Sequence, residues 1–419
     1  MRPPVEVPLD IVDLIAQRIE SECATGEATL GVVKACRLVN RTFADGFERC
    51  LFHQGTFTDA SSHNMEGTTR HATSLLDLLN RRPDIVNHVK QFSIRLSDSV
   101  THPLLPLILE KLNRVEDLAL DGSGSSAGHI DWSALSEELR EALLALAHGP
   151  QIKVLRMEYI QLLPATVILN SHGLSKLALI GSSDLYREDM EDSLSRTSPG
   201  TMFDLDISWA NTESIIGWLS RIDHPGDLLG GLRSLRTKHL VKNDPHINAI
   251  ISLCGRHSLS LESVDITLHQ NEGGERFRFT RRGRLKNFSP LDPYMERRLL
   301  LAPLKTLKSL HITSKGSRAY TRFYWDLAKT FNEMDTSSLE HFRLSITEIQ
   351  SSSAILRDSE GVSMYLIPIF GGNAEETSGP RPVAMLKTFT LDLFVIEPAL
   401  GSRIGEARSR TRNWRNFSS

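Results

Sequence analysis

The sequence predicts an α/β fold, in which a short N-terminal helical region is followed by a long solenoid of alternating helices and short strands. Three observations support this prediction. Apolar residues recur at helical spacing over the first fifty residues, a pattern with apolar residues at positions 0, +3 and +5 then recurs ten times, and amphipathic helical segments lie between these recurrences. A chain of 419 residues is long enough for such an array with a small appended domain.

Composition and charge argue against several classes of protein. Hydrophobic residues make up 40% of the chain and charged residues 24%, as in ordinary globular proteins, and the formal net charge is −3. Without an overall positive field we expect no nucleic-acid partner, and without an apolar run of about 18 residues we expect no membrane span. We therefore expect a soluble protein of the cytoplasm or nucleus.

The four cysteines give no sign of a metal site. They are Cys23, Cys36, Cys50 and Cys254, and none has metal-ligand spacing. Three lie in the first fifty residues, where a disulfide is conceivable, but we favour reduced thiols packed as small apolar side chains. We expect neither a metal nor another cofactor.

The first fifty residues are expected to form three short helices around one small core. The first helix, from about residue 8 to 20, places four apolar residues on one face: Ile11, Leu14, Ile15 and Ile19. A second helix covers Leu30 to Cys36. The third carries four apolar residues at four-residue steps: Val39, Phe43, Phe47 and Leu51. A unit of this size buries too little surface to be comfortably stable alone, so it needs a neighbour.

These residues resemble an F-box, in the form common in the large F-box families of fungi. The resemblance is carried by Pro8-Leu9, by CRLVNRTF from Cys36 and by CLF at residues 50–52, and it covers about residues 5 to 57. It implies docking on the adaptor subunit of a cullin-RING ubiquitin ligase of the SCF type. The adaptor-binding residues that it implies are Pro8, Leu9, Ile11, Val12, Ile15, Leu38, Val39 and Phe43. The alternative is that these helices only cap the array behind them.

From about residue 70 to 400, the 0/+3/+5 pattern defines ten candidate repeats. Their first residues are Val89, Val115, Ile152, Leu174, Met202, Leu232, Leu261, Leu307, Leu339 and Leu386. Several spacings match the roughly 20 to 29 residues of a leucine-rich repeat, and helical segments such as EELREALLALA lie between repeats. The region resembles an irregular leucine-rich-repeat solenoid, although the Asn or Cys expected at +8 is replaced, for example by Ser97 and Ser123.

Period-2 alternation places positions +3 and +5 of each strand in the core and +2, +4 and +6 on the opposite, concave face. The +4 row is mostly polar: Ser93, Ala119, Arg156, Ala178, Asp206, Arg236, Asp265, His311, Arg343 and Thr390. Its chargeable members are candidate target-binding residues: Arg156, Asp206, Arg236, Asp265, His311 and Arg343. The alternative is a solvated face whose Asp and Arg side chains pair only with one another.

Three other segments are interpreted without a chemical role. GSSAG, residues 124–128, matches the G-x-S-x-G elbow of serine hydrolases, but no helix is expected directly after it, so we interpret it as a loop. The basic segment RFRFTRRGRLK, residues 276–286, could bind phosphate or single-stranded nucleic acid through its cations and aromatic side chains, but we favour an exposed hairpin or insertion that could contact a partner. Residues 401–419 are predicted to be a disordered basic tail.

The sequence therefore predicts a non-catalytic substrate-receptor subunit of an SCF-type ubiquitin ligase. Residues 5–57 would recruit the adaptor and through it the cullin, and residues 70–400 would bind a target protein destined for ubiquitin-dependent degradation. A ligase-independent leucine-rich-repeat scaffold that binds other proteins is the alternative.

Overall fold

The computed structural model divides the chain into two compact units, Met1–Gly200 and Thr201–Ser419. The residues that it describes are 11, 12, 14, 15, 52–58, 65–97, 102–181, 185, 186, 202–208, 215, 217, 229–240, 244–257, 260–269, 301, 304–315, 327, 330, 331, 334, 337–349, 386–395 and 408–414. No helix in these ranges combines the length and the apolarity that crossing a membrane requires. Most of the predicted three-helix region, and the basic segment 276–286, lie outside them.

Within its described residues, the first unit contains a parallel sheet of five strands, each five residues long. In sheet order they are β1 (Gln54–Thr58), β2 (Gln91–Arg95), β3 (Asp117–Asp121), β4 (Val154–Glu158) and β5 (Lys176–Ile180). Two pairs of two-residue strands follow the main strands: Ile130–Asp131 pairs with Ile160–Gln161, and Leu163–Pro164 pairs with Leu185–Tyr186.

Among the described residues, five helices connect these strands. They are α1 (Met65–Arg81), α2 (Pro83–Val86), α3 (Leu105–Lys111), α4 (Glu137–Ala147) and α5 (Thr166–Leu169), and a 3-10 turn spans Trp132–Ala134. The helix α4 has the bounds of the predicted helical segment EELREALLALA. Its N-cap is Ser136, whose Oγ accepts a hydrogen bond from the Leu139 N–H at 3.3 Å. Since α4 begins well after the loop GSSAG, that loop does not form a nucleophile elbow.

The core of the first unit follows the predicted repeat. The +3 and +5 side chains of four strands are each at most 2% exposed: Phe92, Ile94, Leu118, Leu120, Leu155, Met157, Leu177 and Leu179. In-register parallel pairing stacks these residues in two rows, and helices cover parallel strands by burying such rows. The alternation predicted from the sequence is therefore confirmed in this unit.

The strand β1 was not expected, because it lies at the boundary of the predicted helical domain that ends at residue 57. Phe57 pairs with Ile94 and is fully buried, so the sheet begins well before residue 70. A Cβ on Gly55 would lie 2.7 Å from the ring of Phe92, so only glycine fits here. Phe52, Gly55 and Phe57 thus form an additional repeat whose +3 position has no apolar side chain.

The described residues of the second unit form six parallel strands and one antiparallel strand. In sheet order they are β6 (Asp204–Ser208), β7 (Ser234–Leu240), β8 (Ser263–His269), β9 (Ser309–Lys315), β10 (His341–Ile349), β11 (Thr388–Val395) and β12 (Arg408–Trp414). The helix α6 (Asp244–His257) precedes β8. Core positions again follow the pattern, including Leu205, Val264 and Leu310, each at most 2% exposed.

Within the predicted disordered tail, residues 401–419, the described residues 408–414 instead form the strand β12. Its residues pair antiparallel with β11, from Phe389 opposite Trp414 to Val395 opposite Arg408. The physical reason lies in β11, since the last parallel strand of a sheet carries unpaired N–H and C=O groups that another segment can satisfy. Composition alone does not reveal such backbone pairing.

One backbone contact repeats in both units and sets the register. The carbonyl at position +1 accepts hydrogen bonds from the N–H groups at +1 and +2 of the next repeat. The Lys90 carbonyl, for example, accepts from Glu116 at 2.7 Å and Asp117 at 3.0 Å, and the Glu262 carbonyl accepts from Lys308 at 2.8 Å and Ser309 at 2.9 Å. Because this contact precedes β2 to β5 and β7 to β11, each of these strands enters the sheet at the same position of its repeat.

Candidate binding surfaces

A small apolar surface lies near the N-terminus. Residues 11, 12, 14 and 15 are helical, and their spacing places Ile11, Leu14 and Ile15 on one helix face. These three side chains are 43%, 62% and 39% exposed, whereas Val12 is fully buried. Isoleucine and leucine side chains are mostly buried in folded proteins, so three exposed ones on one helix face are unusual. Such a surface can bind another protein.

The predicted adaptor contacts fall into three groups. Ile11 and Ile15 are exposed and able to contact a partner. Val12 is corrected, because its fully buried side chain packs within this chain and has no surface to offer. The others lie outside the described residues: Pro8, Leu9, Leu38, Val39 and Phe43. Leu14 belongs with Ile11 and Ile15, and helical periodicity signals it although the F-box resemblance does not.

In the first unit, the +4 row carries few charged side chains. Ser93, Ala119, Arg156 and Ala178 lie side by side in register, as predicted, and Arg156 is the one charged side chain among these four. Its Nη2 donates to Asp117 Oδ2 at 2.9 Å. This row therefore offers one paired arginine between small residues.

Ion pairs in the first unit also lie at position +1. Glu116 accepts from the ammonium groups of Lys153, at 2.5 Å, and Lys90, at 3.1 Å. The hydrogen bonds from Lys153 and Lys90 lower the pKa of Glu116, against the opposing effect of burial. The second unit repeats this pairing between Glu262 and Lys308, at 3.0 Å.

In the second unit, the +4 row is continuous and charged. Five adjacent strands each contribute one residue at the same register: Asp206, Arg236, Asp265, His311 and Arg343. The residues predicted to be neighbours are neighbours, even though up to 46 residues separate consecutive members of the row along the chain. We call this set the charged row.

The first three members of the charged row form a loose ion-pair chain. Arg236 lies between two carboxylates, with Nη1 3.8 Å from Asp206 Oδ2 and Nε 3.4 Å from Asp265 Oδ2. Asp265 Oδ1 lies 3.4 Å from His311 Nδ1. Burial acts to raise the pKa of Asp265, but the hydrogen bond from His311 and the charges of His311, Arg236 and Lys238 outweigh it and lower the pKa.

Two residues at position +6 extend the charged row to β11. His311 Nε2 lies 3.0 Å from Ser345 Oγ, which donates to Asp392 Oδ2 at 3.2 Å, and the same oxygen accepts from Arg343 Nε at 2.6 Å. Asp392 is 1% exposed, and its Oδ1 has no hydrogen-bond partner among the residues that the structure describes. Neither residue was predicted from the sequence, because the candidates were drawn from the +4 position alone, although +6 lies on the same face.

The +6 positions also differ from expectation in their burial. Ser208, Thr267, Thr313, Ser345 and Asp392 are each at most 9% exposed, whereas the sequence predicts an open face at +6. Polar side chains tolerate burial when they are hydrogen-bonded, as Ser208 is to Asp206 Oδ1 and Thr313 to His311 Nε2. The open part of this face is therefore the +4 position.

Ser345, His311 and Asp265 have the order of a nucleophile, a base and an orienting carboxylate, at 3.0 and 3.4 Å. Two observations argue against nucleophilic catalysis here. The Asp392 carboxylate next to Ser345 Oγ would oppose the negative charge of a tetrahedral intermediate, and the backbone around Ser345 pairs with both flanking strands, which occupies the N–H groups that could stabilise that charge. We interpret the three residues as part of a hydrogen-bond network.

Within the part of the chain that the structure describes, no group of three or more His, Cys, Asp or Glu side chains is arranged to hold a metal ion. Cys254 is fully buried, and burial raises the pKa of its thiol to about 12, so a reactive thiolate is not available there. In comparisons with known proteins, no family model and no curated protein matches this chain.

Proposed function

We propose that this protein is a substrate-receptor subunit of an SCF-type ubiquitin ligase. Its N-terminal region would dock the adaptor subunit, and its repeats would bind the target. The observation that carries the proposal is the apolar surface of Ile11, Leu14 and Ile15, which lies in the segment that resembles the adaptor-binding motif. Its exposure supports docking over capping, because a helix that only caps the repeats would bury these side chains.

The energetics of this surface support a protein partner. Each large apolar side chain that becomes fully buried contributes about 1.5–3 kcal/mol before the costs of association. Three such side chains form a useful centre for an interface, although the neighbouring motif residues would have to extend it. By resemblance, the receptor contributes no bond-making group, and it acts by raising the local concentration of the target near the charged ubiquitin.

The experiment is a pull-down of the purified adaptor subunit by the full-length chain. We expect Leu14→Asp to reduce adaptor retention at least about tenfold, since a carboxylate would have to be desolvated in the interface. The matched control is Leu107→Asp, since Leu107 is also an exposed leucine, at 44%, but lies in α3. It should retain the adaptor as the unmodified chain does.

Circular dichroism of each variant separates loss of docking from loss of folding. Retention that is equal for Leu14→Asp and the unmodified chain would contradict docking through this surface. Failure of the unmodified chain to retain the adaptor would favour the alternative, a ligase-independent scaffold that uses its repeats alone. The motif residues Leu9 and Val39 offer further variants, Leu9→Asp and Val39→Asp, with the same expected loss.

A further inference from the structure

We propose that the charged row of the second unit binds an extended acidic peptide, whose two carboxylate side chains, four residues apart, pair with Arg236 and Arg343. As a statement about the target of a ubiquitin ligase the inference rests on the proposed function. The binding itself requires only the second unit, so it can be tested without the adaptor.

The two arginines of the charged row are more exposed to solvent than the carboxylates beside them. The side chains of Arg236 and Arg343 are 53% and 54% exposed, whereas those of Asp206, Asp265 and Asp392 are 16%, 27% and 2% exposed. Carboxylates at the base orient the guanidinium groups above them. A ligand that approaches this face therefore meets two held arginines, which are suited to bidentate recognition of carboxylates.

The pairing within the row leaves capacity for a ligand. Arg236 lies 3.4 and 3.8 Å from its two carboxylates, which is longer than the roughly 2.7–2.9 Å of a charge-assisted hydrogen bond. Arg343 binds Asp392 through Nε, and its two terminal nitrogens have no hydrogen-bond partner among the described residues. An incoming carboxylate can thus bind either guanidinium without displacing an internal hydrogen bond of normal length.

The spacing of the two arginines selects the ligand. Arg236 is in β7 and Arg343 is in β10, three strands apart at the same register. With neighbouring strands about 4.8 Å apart, the two positions are separated by about 14 Å. An extended peptide rises about 3.3 Å per residue, so side chains four residues apart lie about 13 Å apart and on the same side. The peptide would cross the strands above Asp265 and His311.

The carboxylates next to the two arginines favour a monoanionic over a dianionic ligand group. Asp206 and Asp265 flank Arg236, and Asp392 lies beneath Arg343, so each guanidinium already has a negative neighbour. A phosphate carries up to two charges near neutral pH and would be repelled more strongly than a carboxylate. We therefore assign glutamate or aspartate side chains to the peptide.

The probe is a fluorescein-labelled peptide, GSESGSESG, with its glutamates four residues apart, titrated with the full-length chain at low ionic strength. We expect saturable binding in fluorescence anisotropy. Arg236→Gln and Arg343→Gln should each raise the Kd about tenfold, because each variant loses a charged hydrogen bond to the peptide. The matched control is Arg95→Gln, since Arg95 is also 53% exposed and pairs with Asp121, but lies in the first unit.

Further peptides test the spacing and the charge. GSQSGSQSG, without charge, and GSGESESGS, with glutamates two residues apart, should bind at least about tenfold more weakly. The proposal would be overturned if GSESGSESG showed no saturable binding. It would also be overturned if Arg95→Gln raised the Kd for this peptide as much as Arg236→Gln and Arg343→Gln do. Tighter binding of the same peptide with phosphoserines in place of the glutamates would overturn the carboxylate assignment. None of these outcomes depends on adaptor docking.

Discussion

The two units have the same strand register and the same apolar rows, but they carry different polar faces. In the first unit every main strand has five residues, and the +6 side chain of β2, Arg95, is exposed. In the second unit β7 to β11 have seven to nine residues, and most of the +6 side chains are buried and polar. Equal apolar patterning thus builds equal scaffolds, while the polar positions decide what each face can bind.

The largest expected effect concerns the core of the second unit. Phe342 is 1% exposed, stacks on Phe389 with ring centroids 5.5 Å apart, and contacts Phe331 edge-on at 4.9 Å. We expect Phe342→Ala to lower the free energy of unfolding by about 3–5 kcal/mol, because it removes buried area and leaves a cavity. Urea denaturation measures this loss.

Phe203→Ala is the control for this variant. Phe203 is 38% exposed and lies below the guanidinium of Arg233, 5.3 Å from its ring centroid, so its removal should cost about 1 kcal/mol or less. Equal losses for the two variants would show that the buried rings do not carry the stability of this unit.

The next effect compares one Asp–Arg pair in each unit. Asp392→Ala should lower the free energy of unfolding by about 1–3 kcal/mol, because Ser345 loses a buried acceptor and Arg343 loses its anchor. Asp117→Ala in the first unit removes the partner of Arg156 from a more exposed position, and we expect about 1 kcal/mol or less. If the Asp117 variant were the less stable of the two, the buried network would not distinguish the units.

The smallest effect is the pH dependence from Asp265. Its pKa lies below the usual 3.8, so its ionised form is favoured by folding. The stability that it contributes is complete above about pH 4 and is lost as the pH falls through the lowered pKa. Urea midpoints of the unmodified chain and Asp265→Asn should therefore differ at pH 6, by no more than about 1 kcal/mol, and converge toward pH 3.

Glu116 gives the counterpart in the first unit. The hydrogen bonds from Lys153 and Lys90 lower its pKa from the usual 4.5, so Glu116→Gln should show the same direction of convergence on acidification. A difference for Asp265→Asn that grew as the pH fell would contradict the favourable pairing of Asp265 with His311 and Arg236.

The exceptions to the predicted strands are informative. Thr237 stands at a core position, 1% exposed, and its hydroxyl is satisfied by the Ile207 carbonyl at 3.4 Å. The strand β1 escaped detection because Gly55 occupies a position where the pattern requires an apolar side chain. The strand β12 escaped because its arginine-rich sequence carries no apolar alternation, and its pairing satisfies the backbone of β11.

For the candidate surfaces as well, the sequence predicts some features and the tertiary structure alone shows others. Periodicity alone placed Ile11, Leu14 and Ile15 on one face, since helical geometry is local. The burial of Val12 was not predictable, because it depends on which other segment packs against that side of the helix. Alignment of the repeats predicted that Asp206, Arg236 and Asp265 are neighbours, and the described register confirms it.

The amino-acid sequence by itself determined the rows of the sheet, because the burial of apolar side chains at positions 0, +3 and +5 permits only one register between successive repeats. Only the tertiary structure decided that Asp392 and Ser345 complete the polar network and that the arginines stand above their carboxylates. The contacts of Asp392 with Ser345 and Arg343 join residues 47 and 49 positions apart in the chain, and their geometry depends on side-chain burial that a local pattern does not specify.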